Sequence, residues 1–290
     1  MLNKAILLVL FPIVLSAQLP TSNIYHFTVS RVAKDIRLKS PQFLTAFNKE
    51  GYNNQPKYFG DKVIYFSTDY YDSEQTEIAK FDLFDKTLTR ITYTPEKEYS
   101  PTPVENKDAF SVVRVESDDK TQTLSIYPID GIGYAKRYLN NTSNIGYHTW
   151  LDETTVGIFL VEAPHHNLAV ADAISERRKI ILDKVGRCLK RDKAGNLLFV
   201  HKLGENDWYL KSYNTLTSKS TIITQTLEGA EDFELLNDGT FLMGHNSKLY
   251  RFTPGSDKGW ELVSDLAQYG ISKISRIESY KNSLVIVESE

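Results

Sequence analysis

The chain has 290 residues, of which 41% are hydrophobic, enough for a sizeable core and too many for one β-sandwich. Its formal net charge of −3 gives no electrostatic case for a nucleic-acid partner. Cys188 is the only cysteine, so no disulfide forms within the chain and packing must supply the stability.

The first residues read as a targeting signal. Lys4 supplies a short positive region, Ala5–Leu15 is an apolar run of eleven residues, and Ser16-Ala17 offers small residues for cleavage before Gln18. The run is too short to span a bilayer. No second long apolar run follows. The expectation is a signal peptide over 1–17 and an exported, soluble domain over 18–290, periplasmic or secreted, with no membrane insertion after cleavage.

Internal similarity comes next. A shift of 47 positions superimposes FLTAFNKEGYNNQPKYFGD (43–61) on RITYTPEKEYSPTPVENKD (90–108), matching Thr45 with Thr92, Tyr52 with Tyr99, Pro56 with Pro103 and Asp61 with Asp108. Each segment runs into an apolar strand, Val63–Ser67 or Ala109–Val115. A polar turn followed by an apolar strand recurs at Val156–Val161, Leu197–Val200, Thr240–Met243 and Leu284–Val287. The turn markers Asp61, Lys107, Glu153, Gly195, Asp238 and Asn282 are spaced by 46, 46, 42, 43 and 44 residues. A regular period of this size signals a repeat architecture.

Within the first unit the spacing predicts four strands, Pro56–Phe59, Val63–Ser67, Glu77–Asp82 and Leu88–Ile91. Later third strands are predicted at Thr123–Ile126, Leu168–Ala171, Trp208–Tyr213 and Lys248–Phe252. No apolar period of 3.6 residues is sustained over helical length, so helices should be few. Four antiparallel strands in about 45 residues describe the blade of a β-propeller.

The chain end supplies half a blade, Ser275–Glu278 and Leu284–Glu288, whose alternation of β-branched residues suggests a half-buried surface. Ile24–Val29 and Gln42–Ala46 would complete it, so the expected fold is an all-β, six-bladed propeller closed by N-terminal strands joining the C-terminal blade. A pair of stacked β-sandwiches is the rival, and it leaves the fit of the half-blades unexplained.

The pattern Leu-Thr, then Tyr, then Pro, then a turn and an apolar strand, resembles the repeat of TolB-like six-bladed propellers. It is carried by Leu44-Thr45, Tyr52 and Pro56, and by Ile91-Thr92, Tyr99 and Pro103. The Ser-Pro-Asp-Gly-Lys turn usual in such repeats survives as Asp238-Gly239 and as Gly60-Asp61-Lys62. TolB carries an α/β domain ahead of its propeller, and the stretch between Gln18 and Ile24 has no room for one. TolB's partners in the Tol–Pal system are therefore not carried over. The resemblance implies an envelope propeller used as a binding scaffold.

In such a blade, the loops between second and third strands share a face with the linkers between blades. That face should gather Tyr70 and Tyr71, flanked by Asp69 and Asp72, with Trp208 and the His165-His166 pair. Linker residues Tyr99, Tyr147, His148, Glu231 and Asp232 should join them near the axis. Aromatic platforms beside carboxylates suit a sugar or a basic peptide. His165-His166 lacks a third ligand at metal spacing, and His148 reads better as a hydrogen-bonded structural residue than as a catalytic one. Cys188 begins an apolar strand and reads as an inert buried thiol.

No Gly-x-Ser-x-Gly elbow, phosphate-cradling loop or Cys-pair metal motif occurs, and no cofactor is expected. The sequence thus points to a monomeric, non-catalytic propeller binding an envelope protein or a glycan through its axial face. The alternative is a hydrolase or lyase acting on a sugar or lactone, with an axial cation held by Asn54, Glu231 and Asp232.

Overall fold

The computed structural model describes residues 19–32 and 34–289; the segment expected as a signal peptide lies outside them. The chain first lays down β1 (Ser22–Val32) and β2 (Asp35–Phe43), then builds five complete blades. Blade 1 is β3 (Asn53–Tyr58), β4 (Val63–Asp72), β5 (Gln75–Asp82) and β6 (Thr87–Arg90). Blade 2 is β7 (Lys97–Pro103), β8 (Ala109–Val115), β9 (Gln122–Pro128) and β10 (Lys136–Tyr138). Blade 3 is β11 (Ile145–Trp150), β12 (Thr155–Leu160), β13 (Asn167–Asp172) and β14 (Arg177–Asp183). Blade 4 is β15 (Val185–Arg191), β16 (Leu197–Lys202), β17 (Trp208–Asn214) and β18 (Lys219–Gln225). Blade 5 is β19 (Phe233–Leu235), β20 (Phe241–His245), β21 (Lys248–Phe252) and β22 (Glu261–Asp265). The final strands are β23 (Ile274–Tyr280) and β24 (Ser283–Ser289).

All six sheets are four-stranded and antiparallel, and the sixth has the order β2-β1-β24-β23. β1 pairs with β24 from Ser22↔Ser289 to Thr28↔Ser283. The ring is therefore closed from both chain ends, as expected, with the fourth strand at Asp35–Phe43 rather than Gln42–Ala46. β1 is also fastened to blade 1: Asn53 Nδ2 donates to the Ser22 carbonyl at 3.0 Å and Asn53 N to Ser22 Oγ at 3.1 Å. Unzipping the seam thus exposes backbone groups on two blades.

Burial explains why the ring forms. Among the described residues there are six apolar clusters, each lying between two neighbouring blades. β24 shows the geometry. Leu284 and Ile286 pack toward blade 5, while Val285 and Val287 pack toward blade 1. All four are fully buried, so both faces of the strand are covered, which corrects the half-buried expectation. A continuous aliphatic run is what a strand covered on both faces requires.

The innermost strands β3, β7, β11, β15, β19 and β23 contact one another in turn around the axis. Here the spacing differs from the sequence alignment. Gln55 and Ser100, 45 residues apart, are hydrogen-bonded neighbours, both have left-handed backbone (φ 56° and 55°), and both precede a proline. The paired bulges fall between Asn54 and Lys57 and between Tyr99 and Thr102. Pro56 therefore corresponds to Pro101, not Pro103.

Candidate functional site

The axis holds two layers of charge. Near the linker face, Arg187 of β15 places Nε 3.0 Å from Asp232 Oδ2 and 3.4 Å from Glu231 Oε1. Arg276 of β23 donates from Nε to Asn54 Oδ1 at 2.8 Å, and its Nη1 is 3.5 Å from Asp232 Oδ1. Asp232 thus lies between two guanidinium groups, and its charge holds Arg187 above the usual arginine range. Deeper, Lys190 pairs with Glu234 and, at 2.5 Å, with Glu278, which also receives Lys57 at 2.7 Å. Burial pushes the Glu234 carboxyl up, while Lys190 and Lys57 hold Glu278 down against the same burial.

A cavity of about 70 Å³ lies between the layers, lined by Gln55, Lys57, Ser100, Tyr147, His148, Arg187, Lys190, Asp232, Arg276 and Glu278 among others. A groove of about 390 Å³ adjoins it and shares Arg187 and Asp232; it runs along Glu228–Asp232 and Lys273–Ser275. A third hollow, about 480 Å³, lies between blades 3 and 4 and is lined by His165, His166, Lys202 and Trp208.

The sequence-derived candidates divide accordingly. Tyr147, His148 and Asp232 meet at the cavity, and Glu231 lines the groove beside it. Trp208 belongs to the separate hollow, where its Nε1 donates to the Gly204 carbonyl at 2.9 Å and Lys202 lies 4.2 Å over its ring. Tyr70 and Tyr71 end β4 and line none of these spaces. Tyr70 is 45% exposed, packed edge-on against Phe47 and Tyr71, and Tyr71 carries Arg90 over its ring. Tyr99 packs edge-on against Tyr52.

The expected negative charge is not there to be used. Glu231 is held by Lys202 at 2.5 Å as well as by Arg187. Asp69 accepts from Asn48 Nδ2 and the Tyr52 backbone N–H at 2.8 and 2.9 Å, and Asp72 closes a turn onto the Glu74 N–H. Around the axis, Lys57, Arg187, Lys190, Lys202 and Arg276 face only Glu231, Asp232, Glu234 and Glu278. The surplus is one positive charge, which disfavours the basic peptide expected from sequence. The oxygen ligands of the axial-cation alternative, Asn54, Glu231 and Asp232, are the same atoms that receive Arg276, Arg187 and Lys202.

Two groups resemble catalytic parts without the chemistry. Ser111 Oγ lies 2.7 Å from His148 Nε2, yet Ser111 is fully buried and its oxygen also takes Trp150 Nε1–H at 2.9 Å. Burial, with Lys57 nearby, pushes His148 down to about 3, so it is neutral at physiological pH and a poor general base. Burial likewise pushes the Cys188 thiol up to about 12, and its S–H donates to the Phe233 carbonyl at 3.3 Å. That is an inert thiol.

Sequence reasoning missed Arg187, Arg276, Lys57, Lys190, Gln55 and Ser100. The blade period carried the signal. Arg187 and Asp232 are 45 residues apart, Asp232 and Arg276 44, and Lys190 and Glu234 44. Stepping one blade period from Asp232 in either direction reaches both arginines.

No protein-family model matches the sequence, and no curated protein matches it. Solved structures do. A protein from Agrobacterium tumefaciens described as a TolB superposes with a TM-score of 0.69 at 10% identity, covering 93% of this chain and 99% of its own. The fold is that of TolB-like propellers. A chain of the nidogen/laminin complex gives a TM-score of 0.65 at 10% identity, covering 89% and 97%. A protein described as a gluconolactonase gives 0.58 at 10% identity, covering 83% and 89%. At these identities the likeness is one of fold, and propellers serve many functions. The role of this propeller therefore rests on its own axial site.

Proposed function

We propose that the protein is an exported, non-catalytic binding module, periplasmic or secreted, which recognises another envelope protein through the axial face of its propeller. One observation carries the reading. The face converges on a cavity and a groove that share Arg187 and Asp232, whereas the nearby nucleophile-like groups, Ser111 and Cys188, are buried and hydrogen-bonded. A rigid rim of this kind loses little entropy on binding. A chain of similar fold stands in the nidogen/laminin complex, which favours a protein over a glycan as the partner.

The reading is tested by site-specific photo-crosslinking in the native host. A crosslinker at Lys273 or Glu228, on the groove, should give a discrete protein adduct. One at Asn237 or Lys193, on turns at the opposite face, should not. Adducts from neither face, or equally from both, would overturn the assignment. Intact-mass measurement of the same protein should find a mature chain starting near Gln18; a chain still carrying Met1 removes export.

A further inference from the structure

The axial cavity has properties that the binding reading does not need and that point to one ligand chemistry. Four cations, Lys57, Arg187, Lys190 and Arg276, and two carboxylates, Asp232 and Glu278, line its wall; with Lys202, Glu231 and Glu234 behind it, the axial cluster as a whole carries one surplus positive charge. Arg187 uses Nε on Asp232 and Nη2 on the Ser275 carbonyl, and among the described residues its Nη1 has no acceptor.

Two other wall residues, each more than nine-tenths buried, carry an unpartnered polar atom. Ser100 is 8% exposed and its Oγ has no hydrogen-bond partner; His148 is 6% exposed and its Nδ1 has none. Such atoms ordinarily cost about 1–3 kcal/mol each when left unmade, and native proteins keep few of them. Gln55, also on the wall, accepts on Oε1 from Ser67 and from the Ser100 N–H at 2.9 Å each, so its amide donors are not used by those bonds. The left-handed backbone at Gln55 and Ser100 falls on the same wall. Strain that persists in two neighbouring blades at one cavity marks a place where the backbone is held for a purpose other than stability.

We propose that this cavity is a carboxylate site, in which one carboxylate bridges the Arg187 guanidinium and the Ser100 hydroxyl. The inference rests on the binding reading and deepens it, since the carboxylate would be carried by the partner, as a chain terminus or an acidic side chain. Charge suits a monoanion, which the single surplus positive charge of the whole axial cluster neutralises; a dianion would overshoot it in a site of low polarity. Size agrees, because about 70 Å³ is room for roughly five waters by the same measure, enough for a carboxylate and one or two carbons. The Ser111 hydroxyl proton has two acceptors in reach, the Thr102 carbonyl at 3.2 Å and His148 Nε2 at 2.7 Å; an anion in the cavity favours the second, because the ring proton then resides on Nδ1 and becomes a donor to it.

Acetate is the simplest probe, followed on the full mature protein by nitrogen-15 NMR of the histidine rings and by thermal shift. Saturable binding in the millimolar range is expected, with the His148 Nδ1–H signal moving. Ser100→Ala should weaken acetate roughly three- to tenfold, the loss of one neutral hydrogen bond to a charged group, with folding intact; Arg187→Met should abolish it. Inorganic phosphate at neutral pH should bind no better than acetate. Trialanine with a free terminus should bind more tightly than its amidated form if a chain terminus is the source. An amidated, acetylated peptide with one Asp should win if a side chain is.

Acetate that neither saturates nor moves the His148 signal overturns the proposal, as does binding indifferent to both substitutions. The two readings separate cleanly. Axial crosslinks that form unchanged in Ser100→Ala and in excess acetate leave the binding module standing and sink the carboxylate site. Acetate binding without axial crosslinks does the reverse.

Discussion

Arg276 and Tyr147 meet across the propeller axis, from blades 6 and 3. The guanidinium lies 4.9 Å from the ring centroid, and Nη2 donates to the tyrosine hydroxyl at 2.9 Å. Opposite blades are thereby tied through the channel, and the contact roofs the cavity beneath. Neighbouring sheets are held chiefly by apolar packing, with polar ties such as Lys57–Glu278 and Gln55–Ser100 near the axis.

The two halves of this contact should separate by substitution. Tyr147→Phe keeps the stacked ring and loses one hydrogen bond to a charged donor, an expected cost of about 1–2 kcal/mol. Arg276→Met removes both and leaves Asp232 with Arg187 alone, for about 2–4 kcal/mol. Urea unfolding of the two variants measures the difference. If Arg276→Met unfolds at the wild-type midpoint, the cross-axis tie does not contribute to stability.

The seam should be the most sensitive packing site. Leu284→Ala in β24 opens a hole in a strand covered on both faces and should cost about 2–5 kcal/mol. Removing Ser275–Glu290 takes away β24, the strand that β1 pairs with, and nearly all of β23, and exposes the flanks of blades 5 and 1, so cooperativity should fall with the midpoint. A truncated protein that melts like the full chain would refute closure of the ring from both ends.

Acid should destabilise the protein through its buried histidines. Burial pushes His148 to about 3 and His26, near Lys86, to about 4. Both are depressed bases, so the unfolded chain takes up protons first as pH falls below about 6.5, and the native state follows only near its own lower value. Stability should therefore decline as pH falls through that window, by about 1.4 kcal/mol per pH unit for each group whose proton count differs. His148→Gln should remove its share of the slope. An unchanged acid limb in His148→Gln would show that this ring does not set it.

Glu98 should act with the opposite sign. Its carboxyl is fully buried, accepts from the Tyr127 hydroxyl at 2.8 Å, and is pushed up to about 8, first by burial and also by the charge of Glu77. The native state then keeps a proton that the unfolded chain has released above about 4.5. This contribution is greatest at low pH and is lost as pH rises toward 8. Glu98→Gln, which mimics the neutral acid, should flatten the fall in stability between pH 6.5 and 8. It should leave the histidine-driven acid limb in place. An unchanged fall in the variant would mean that Glu98 is already ionised in the native protein over this range.

The sequence by itself determined the architecture, because a propeller is written locally. Each blade repeats a turn and an apolar strand at a fixed interval, so Ala109–Val115 and Lys248–Phe252 were legible to the residue. The two half-blades at the chain ends complemented each other. What a period cannot show is how side chains from different blades meet at the axis. The sequence placed Glu231 and Asp232 there as free negative charge; only the folded ring brought Arg187, Arg276 and Lys202 onto them and reversed the sign. It placed Tyr71 and Trp208 on one face with Tyr147, but Trp208 lines the separate hollow and Tyr71 packs against Arg90 and Tyr70, away from the cavity. Local hydrogen bonding and alternation are fixed by neighbours in the chain, whereas the charge of an axial site is a sum over six strands roughly 45 residues apart, and that sum exists only once the ring has closed.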